Sequence, residues 1–318
     1  MSAEPDEKVR SLWGEAWHRL RQNRLAMVCL AVIALYAAVG LTDFVPVRWT
    51  VEDGGTTREK RGKLLDWAFA RAVGETDKEQ SYSKPGREGH LLGTDIHGTD
   101  VLYKALKGIS VAILLGSLTA AIYIPLGLLF GIVAGYFGGF VDDMIVYVYS
   151  TLACIPGILL LIALMAVMKK GIPQLSIALG VTGWVGLCRL IRGETLKLRE
   201  ADYVLAARAV GASHFRIIFL HILPNLFHLV VITFTLGFSG IIMSEAVLTY
   251  IGVGVEADTV SWGMMISNAK MELSRDPSVW WQFTSSAAAL FILVLAFNVF
   301  GDALRDALDP RLRAGRAA

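Results

Sequence analysis

Residues 193–224 read GETLKLREADYVLAARAVGASHFRIIFLHILP, and long stretches without charge lie on both sides of them. The segment itself carries four Lys/Arg and three Asp/Glu residues. Residues 201–210 are predicted to form a short helix that ends at Gly211, because glycine adopts the left-handed conformation of a helix C-cap. Ser213 then caps a second helix over residues 214–223, which Pro224 is expected to end. The pattern predicts a charged helical hairpin between two apolar segments.

One face of the first helix in this hairpin is almost entirely apolar, with Tyr203, Ala206, Ala207 and Val210 at helical spacing. Small side chains at Ala206 and Ala207 let another surface approach closely, and Arg208 and Arg216 supply charge at the rim of that face. We therefore predict that the hairpin docks a soluble partner protein. A helix that rests on lipid with the same apolar face is the alternative.

The composition indicates a membrane protein. The chain has 54% hydrophobic and 18% charged residues and a mean hydropathy of +0.53, whereas soluble domains have about 45–50% and about 25%. The net charge of +2 does not indicate a nucleic-acid partner. Cys29, Cys154 and Cys188 lie far apart inside apolar runs, as small hydrophobes do, and predict neither a metal site nor a redox compartment.

The apolar runs predict an all-α integral membrane protein with six transmembrane helices. A cleavable signal peptide is the alternative for the first run, but a long basic segment precedes it and no A-x-A site follows, so we favour a retained anchor. The predicted organisation is a cytoplasmic amphipathic segment (1–24), a first span (25–45), an extracytoplasmic loop (46–108), a five-helix core (109–305, with spans at 109–136, 144–168, 171–191, 226–251 and 283–301), a cytoplasmic loop (193–224) within that core, and a cytoplasmic tail (306–318).

Basic residues predict the orientation in the membrane. With the N-terminus in the cytoplasm, the short cytoplasmic segments carry fifteen Lys/Arg residues and the short outer loops carry four. This is the positive-inside bias, and it predicts that both termini and the 193–224 hairpin face the cytoplasm.

Several enzyme motifs are missing from the sequence. There is no GxxxxGK[ST], so any ATP hydrolysis belongs to another chain, and there is no HExxH or GxSxG. His214, His221 and His228 repeat every seven residues, which places neighbours roughly 10 Å apart, too far to share a metal ion. An intramembrane hydrolase is the enzyme alternative, although the spans offer no nucleophile–base pair.

Glu245 is the one acid predicted deep within a span. An intramembrane acid is a candidate functional residue, while hydrogen bonding at a helix end is the structural alternative. Glycines recur at spacing four (Gly127, Gly131, Gly135) and spacing three (Gly180, Gly183, Gly186), and we interpret them as sites of close helix packing.

Residues 90–102, HLLGTDIHGTDVL, have the glycine and aspartate content of a tight loop before the second span. Asp100 is placed to cap a helix that begins at residue 101 and leads into the membrane. The loop residues that we single out are Gly93, Thr94, Asp95, Gly98 and Asp100.

The spacing of Ala206-Ala207, Gly211 and Leu223-Pro224 resembles the EAA loop of ABC importer permeases. Further blocks, HLLGTDIHGTDVL, RAVGASHFRIIFLHILPN, LTYIGVGV with SWGMMI, and FNVFGDALRDALDPRLR, resemble the C-type permease of dipeptide/oligopeptide importers. The family's Glu of the EAA motif is Leu205 here, and its usual Gly-Arg-Asp reads Gly98-Thr99-Asp100. Residues 51–89 match no block of that family.

The resemblance implies the type I ABC importer permease fold in a bacterial inner membrane. It assigns ATPase coupling to Leu205, Ala206, Ala207, Gly211, Leu223 and Pro224. The implied partners are a B-type permease, two ABC ATPase subunits that hold ATP and Mg, an extracytoplasmic solute-binding protein and membrane lipid, with no cofactor on this chain. The substrate (dipeptide, oligopeptide, nickel chelate, glutathione or peptide antibiotic) stays open, and a scaffold or sensor that recruits a partner through the same loop is the alternative function.

Overall fold

The computed structural model describes residues 12–53, 56–69, 81–87 and 89–308. In this part of the chain, five helices are long and apolar enough to cross a membrane, and a bent helix pair makes a sixth candidate. The elements are α1 (Leu12–Gln22), α2 (Arg24–Thr42), β1 (Pro46–Asp53), β2 (Thr56–Lys63), α3 (Leu64–Ala68), α4 (Val101–Phe137), α5 (Gly139–Ala153), α6 (Gly157–Val167), α7 (Ile172–Leu198), α8 (Asp202–Ala209), α9 (His214–Ile251), α10 (Trp262–Leu273) and α11 (Trp281–Leu308).

The predicted helical membrane architecture is confirmed, with one addition that we did not predict. Strands β1 and β2 pair antiparallel inside the segment 46–108, for which we predicted a loop and named no strands. Residues 1–11, 70–80 and 309–318, which belong to the predicted terminal segments and outer loop, lie outside the described residues. The division into domains and the sidedness of each segment stay predictions.

The N-terminal helix α1 packs against the end of the last helix. Its residues Ala16 and Leu20 are buried in one cluster with Leu304 and Leu308 of α11. Asn23 separates α1 from α2, and its side-chain oxygen accepts a hydrogen bond from the Ala26 N–H at 3.1 Å, as a helix N-cap does. The predicted amphipathic helix is therefore present, with part of its apolar face covered by the chain itself.

Helices α4 and α7 run parallel and touch along a row of glycines. A Cβ atom built at Gly127, Gly131 or Gly135 would come within 2.7–2.9 Å of α7 atoms, including side-chain atoms of the residue sixty positions further along the chain in each case. The absence of side chains thus sets the distance between the two helices, as the packing interpretation predicts for this row. The residues they face on α7 are Leu187, Ile191 and Thr195.

The span predicted over residues 144–168 is broken into two helices in the structure. Helices α5 and α6 meet at an angle of 86°. Pro156 has no N–H to continue the helical ladder, so the chain leaves the helix after Ala153 and starts a new one at Gly157. This pair forms either one broken span or a re-entrant segment.

Ion pairs fix the β1–β2 hairpin and α3 to the helices beside them. Lys63 at the end of β2 bonds the Asp43 carboxylate at 2.6 Å. The Asp66 carboxylate accepts hydrogen bonds from the Tyr103 hydroxyl at 2.7 Å and from the Lys107 ammonium at 2.8 Å. Burial raises the pKa of Asp66, but these donors outweigh burial and hold the pKa below its ordinary value. The β1–β2 hairpin lies at one end of the molecule, and we call the opposite end the α8 end.

Candidate coupling site

The predicted hairpin over residues 193–224 is shorter in the structure. Residues 193–198 continue α7, and residues 214–224 belong to α9, so only residues 199–213 connect the two long helices. The short helix α8 lies within this connection, at the place predicted for it. The prediction that Pro224 ends the second helix is wrong, because α9 passes through Pro224 and continues to Ile251.

A π-helical turn lets α9 accommodate Pro224. In this turn, Ile218–Ile222, the Leu223 N–H donates to the carbonyl of Ile218, five residues earlier. A wider turn relieves the clash that a proline ring makes with the carbonyl four residues before it in a regular α-helix. The Asn225 side-chain amide donates to the His221 carbonyl at 2.6 Å. Pro224 therefore distorts the helix without ending it.

The end of α8 and the start of α9 have the predicted caps. Gly211 has a φ of +79°. Its N–H donates to the Arg208 carbonyl, and the Ala212 N–H donates to the Ala207 carbonyl, both at 3.0 Å. This pair of bonds is the Schellman motif, in which the glycine position requires a left-handed residue. The Ser213 side chain accepts a hydrogen bond from the backbone N–H of Arg216, the third residue of α9.

One face of α8 is fixed to the helices of the core. Val204 is fully buried, and the Tyr203 hydroxyl accepts a hydrogen bond from the Asn225 amide at 3.3 Å. The Arg208 guanidinium lies 5.8 Å from the centre of the Tyr136 ring, where a cation and an aromatic face attract each other. Because Tyr136 lies in the last turn of α4 and Asn225 lies in α9, α8 is bound to both long helices.

The other faces of α8 are open. Leu205 is 42% exposed and Val210 is 84% exposed, and Ala206 and Gly211 are exposed beside them. We call these four residues the docking face. Ala207 is half-buried and turns toward the core, so the predicted Ala206-Ala207 surface is divided between the two sides of the helix.

Leu223 and Pro224, the remaining residues of the predicted coupling set, lie in α9. Leu223 is half-buried and Pro224 is exposed, and both belong to the joint that the π-helical turn forms in α9. A coupling role for the six residues stays a prediction. The docking face is an open surface, whereas Pro224 lies at the joint in α9.

The three histidines spaced by seven residues take separate partners or positions. The His214 Nδ1 atom lies 2.9 Å from the Tyr136 hydroxyl, and the His221 ring packs on Tyr203 at 6.3 Å between ring centres. His228 lines a cavity further along α9. Among the described residues, no three His, Cys, Asp or Glu side chains group as metal ligands.

Sequence reasoning missed a set of charged contacts beside α8. Arg192 of α7 donates two hydrogen bonds to the Asp142 carboxylate of α5, and Arg199 donates to the Gly135 carbonyl at 3.1 Å. Asp142 has only Asp143 as a charged companion in a long uncharged stretch, and this isolation was the available signal.

Glu245 lies in a packed joint between α9 and α10. It is 4% exposed, and its carboxylate accepts a hydrogen bond from the Thr249 hydroxyl at 2.9 Å. The same hydroxyl accepts from the Val255 N–H at 3.3 Å. A Cβ at Gly263 would lie 3.1 Å from the carboxylate, so α10 packs directly on it. These contacts fit the structural alternative, and a transport role for Glu245 stays a prediction.

Aspartates organise the loop before α4. Asp100 caps α4 as predicted, accepting a hydrogen bond from the Tyr103 N–H at 3.0 Å, and its second oxygen lies 2.8 Å from His90 Nδ1. Asp95 accepts hydrogen bonds from two backbone N–H groups of its own turn and pairs with Lys104. Both carboxylates therefore hold the loop against the start of α4.

The glycines and threonine of this loop allow it to dock on α11. The Thr94 carbonyl accepts a hydrogen bond from the Trp281 indole at 2.9 Å. Gly93 has a φ of +74°, and a Cβ there would lie 2.6 Å from the Ser83 carbonyl oxygen. Gly98 also has a φ of +74°. A function of this loop beyond its own structure stays a prediction.

Two parts of the chain match families of known transport proteins. Residues 127–314 match the family described as the binding-protein-dependent transport system inner membrane component. Residues 11–47 match the N-terminal transmembrane domain of oligopeptide transport permease C.

Similar proteins include permeases named for different solutes. The chain is 34% identical to the oligopeptide transport system permease protein OppC of Bacillus subtilis (strain 168), covering 96% of this chain and 92% of that protein. It is 33% identical to the dipeptide permease protein DppC of the same organism, covering 94% and 86%. It is 32% identical to the glutathione permease protein GsiD of Escherichia coli O6:K15:H31 (strain 536 / UPEC), covering 97% and 93%. The chain is therefore a multi-pass membrane protein that belongs to the family of binding-protein-dependent transport system inner membrane components.

Proposed function

We propose that the chain is the C-type permease subunit of an ATP-driven importer for peptides or related small solutes. Membership of a transport family supports this function over a scaffold, a sensor or an intramembrane enzyme. The names of its relatives, which include oligopeptides, dipeptides and glutathione, support a solute of peptide size. The observation that carries the proposal is the docking face, an exposed apolar surface on a helix whose opposite side is fixed to the core.

The importer is a complex in a bacterial inner membrane. A B-type permease completes the membrane part, two ATPase subunits bind ATP and Mg in the cytoplasm, and a solute-binding protein delivers the solute outside. The excess of Lys/Arg in the short segments next to α1, α8 and the C-terminal tail supports cytoplasmic termini and a cytoplasmic docking face. This chain binds no nucleotide and hydrolyses none.

Closure of the ATPase subunits moves α8, and the contacts of α8 pass this movement to the long helices. Val204 is buried in the core, Tyr203 is bonded to Asn225 of α9, and Arg208 lies over Tyr136 of α4. A displacement of α8 therefore carries the ends of α4 and α9 with it. The movement changes access to the passage between the two permeases.

The test measures ATPase attachment and solute uptake in the complete complex. Ala206→Asp and Gly211→Asp each place a charge on the docking face, where Gly211 has open space around its Cβ position. We expect the ATPase subunits to copurify at least about tenfold less well, and uptake into proteoliposomes to be lost with them, since a desolvated unpaired charge costs several kcal/mol.

Gly252→Asp is the matched control. Gly252 also has a positive φ of +90° and nothing near its Cβ position, but it lies at the opposite end of α9. The control should retain its ATPase subunits. If Ala206→Asp and Gly211→Asp also retain them and import normally, the coupling function of α8 is wrong.

A further inference from the structure

A cavity of about 870 Å³ lies between α7, α9 and α11 and reaches the α8 end of the molecule. We call it the end cavity. The charged or titratable residues among its described lining are Glu194, Lys197, His228 and Arg305. The other lining residues are leucine, isoleucine and glycine, together with Thr233. The end cavity therefore combines charged groups with an apolar wall.

The charged groups and the apolar wall are separated along the helix axes. Lys197 lies in the last turn of α7 and Arg305 in the last turn of α11. On α9 the lining begins at His228 and extends to Gly237, which is roughly 13 Å along a helix. One leaflet of a bilayer has a hydrocarbon layer about 15 Å deep. The apolar wall is therefore about one leaflet deep, and the charges lie at its mouth.

The mouth of the end cavity is positively charged. Glu194 is the one acid among the described lining residues, and its carboxylate accepts a hydrogen bond from Lys197 at 2.9 Å. The Lys197 side chain is 72% exposed, so its ammonium group has donors left for a second partner. Arg305 is exposed, and within the part of the chain that the structure describes its guanidinium pairs with no carboxylate. Two cations thus face one acid.

This combination selects among the possible occupants. A small soluble anion would pair with the cations but would leave the apolar wall in water, where Leu190 is 43% exposed. An apolar protein surface would cover the wall but would remove Arg305 from water without a partner, which is costly. An anionic phospholipid matches both parts, because its phosphate accepts charge-assisted hydrogen bonds and its acyl chain buries apolar surface. Basic pockets between membrane helices bind such head groups.

We propose that the end cavity binds one anionic phospholipid. Arg305 and Lys197 hold its phosphate at the mouth, and one acyl chain lies along α9 between Leu229 and Leu236. The Glu194 carboxylate lies beside the phosphate and weakens the site by repulsion. The lipid site is a property of this chain by itself and goes beyond its part in solute import.

The first test measures lipid retention by the full-length chain in a neutral detergent. The chain receives equal amounts of phosphatidylglycerol and phosphatidylcholine with the same acyl chains, and native mass spectrometry counts the lipids that stay bound. The wild type should retain phosphatidylglycerol several-fold better. Arg305→Gln should lower this retention about fivefold, the effect of one cation near a lipid phosphate. Equal retention of both lipids by the wild type, or no loss in Arg305→Gln, overturns the site.

Arg24→Gln is the matched control. Arg24 is an exposed arginine at the start of α2, and it does not line the end cavity. It lies at the same end of the molecule, since Ala26 packs in one cluster with Leu304 and Leu308 of α11. The control should retain phosphatidylglycerol as the wild type does. An equal loss in Arg24→Gln and Arg305→Gln would mean a general attraction of lipid to basic residues, and the proposed site would be wrong.

Glu194→Gln tests the proposal by a gain, which a poorly folded chain cannot produce. The change removes the acid beside the phosphate and frees the Lys197 ammonium from its partner. We expect retention of phosphatidylglycerol to rise several-fold and retention of phosphatidylcholine to stay the same. Unchanged or weaker retention of phosphatidylglycerol would overturn the placement of the phosphate between these side chains.

Two further measurements address the other occupants. Millimolar glycerol 3-phosphate has the phosphate without an acyl chain, and we expect it to leave the bound lipid in place. Displacement would show a site for a soluble anion and overturn the lipid. The complete importer complex should retain phosphatidylglycerol as the single chain does. Loss of the lipid in the complex would show that another subunit covers the end cavity, which overturns the proposal in favour of a protein interface.

Discussion

Arg192 of α7 donates two hydrogen bonds to the carboxylate of Asp142 in α5, at 2.5 and 2.7 Å. The side chains are 27% and 15% exposed, so water screens the pair only in part. Two parallel bonds between a guanidinium and a carboxylate fix both distance and orientation. The pair therefore holds α5 against α7 at the α8 end of the molecule.

Asp142→Asn should lower the free energy of unfolding by about 1–3 kcal/mol, because the partly buried guanidinium loses its charged partner. Chemical denaturation of the purified chain in detergent measures the change. The double variant with Arg192→Gln completes a mutant cycle, in which we expect a less-than-additive loss. Strictly additive losses would show that the pair contributes no interaction energy.

Gly131→Val should destabilise the contact between α4 and α7. Its Cβ would lie 2.8 Å from Ile191, and forcing extra atoms into a packed interior costs about 1–3 kcal/mol. The melting temperature in detergent should fall accordingly. Gly186→Val, in open space, is the comparison and should melt close to wild type. The prediction fails if the two variants melt alike.

Pro224→Ala should weaken coupling more than stability. Alanine restores an N–H donor and removes the ring that the π-helical turn accommodates, so the wide turn over residues 218–222 can tighten locally. The Asn225 bonds to His221 and Tyr203 are then misaligned. The measurement is solute imported per ATP hydrolysed, which should fall several-fold. Pro173→Ala is the control, because Pro173 lies in the first turn of α7, where no helical donor is needed.

Glu272 predicts a dependence of stability on pH. Burial, and then the nearby Asp95 carboxylate, raise the pKa of Glu272 to about 7. The folded chain binds this proton more tightly than the unfolded chain. Protonated Glu272 therefore stabilises the fold below about pH 4.5, and this stabilisation, up to about 3 kcal/mol, is lost as pH rises through about 7. In the variant Glu272→Gln, the melting temperature should change less between pH 5 and 8 than it does in the wild type. A slope equal to that of wild type would refute the assignment, and Glu256→Gln, an exposed carboxylate at the same end, serves as control.

Leu205→Glu restores the residue that the EAA motif usually has. Because Leu205 is 42% exposed, the change should alter stability by no more than about 0.5 kcal/mol. It introduces a charge into the docking face, and we expect the affinity for the cognate ATPase to fall about tenfold, which titration of the complex in detergent measures. Leu205→Met keeps the apolar surface and should bind as wild type does. Tighter binding by the Glu variant would show that the ATPase does not bind the docking face through apolar contacts.

Features that depend on neighbouring residues were predictable from the sequence. The caps at Asp100, Gly211 and Ser213 rest on hydrogen bonds within a few residues, and the structure has all three. The prediction that Pro224 ends a helix was wrong for a physical reason. The residues on both sides of it, Ile222 and Leu226, are fully buried, and their packing favours a distorted helix over an ended one.

Features that depend on distant contacts were not predictable. Ala206 and Ala207 look alike in the sequence, but contacts of α8 with the ends of α4 and α9 turn only Ala207 inward. Gly131 and Gly186 likewise belong to similar repeats, yet one meets a helix and the other meets a cavity. Only the arrangement of the long helices distinguishes them.

The packing of α1 and α2 on α11 joins the two ends of the described chain. Tyr36 of α2 donates a hydrogen bond to the Ala289 carbonyl at 3.2 Å, and Ala26 shares a cluster with Leu304. A ribosome makes α2 first and α11 last. The first membrane segment can therefore pack on α4 early, through the Ser110 hydroxyl and the Gly40 carbonyl, but it meets α11 only after almost the whole polypeptide has been synthesised.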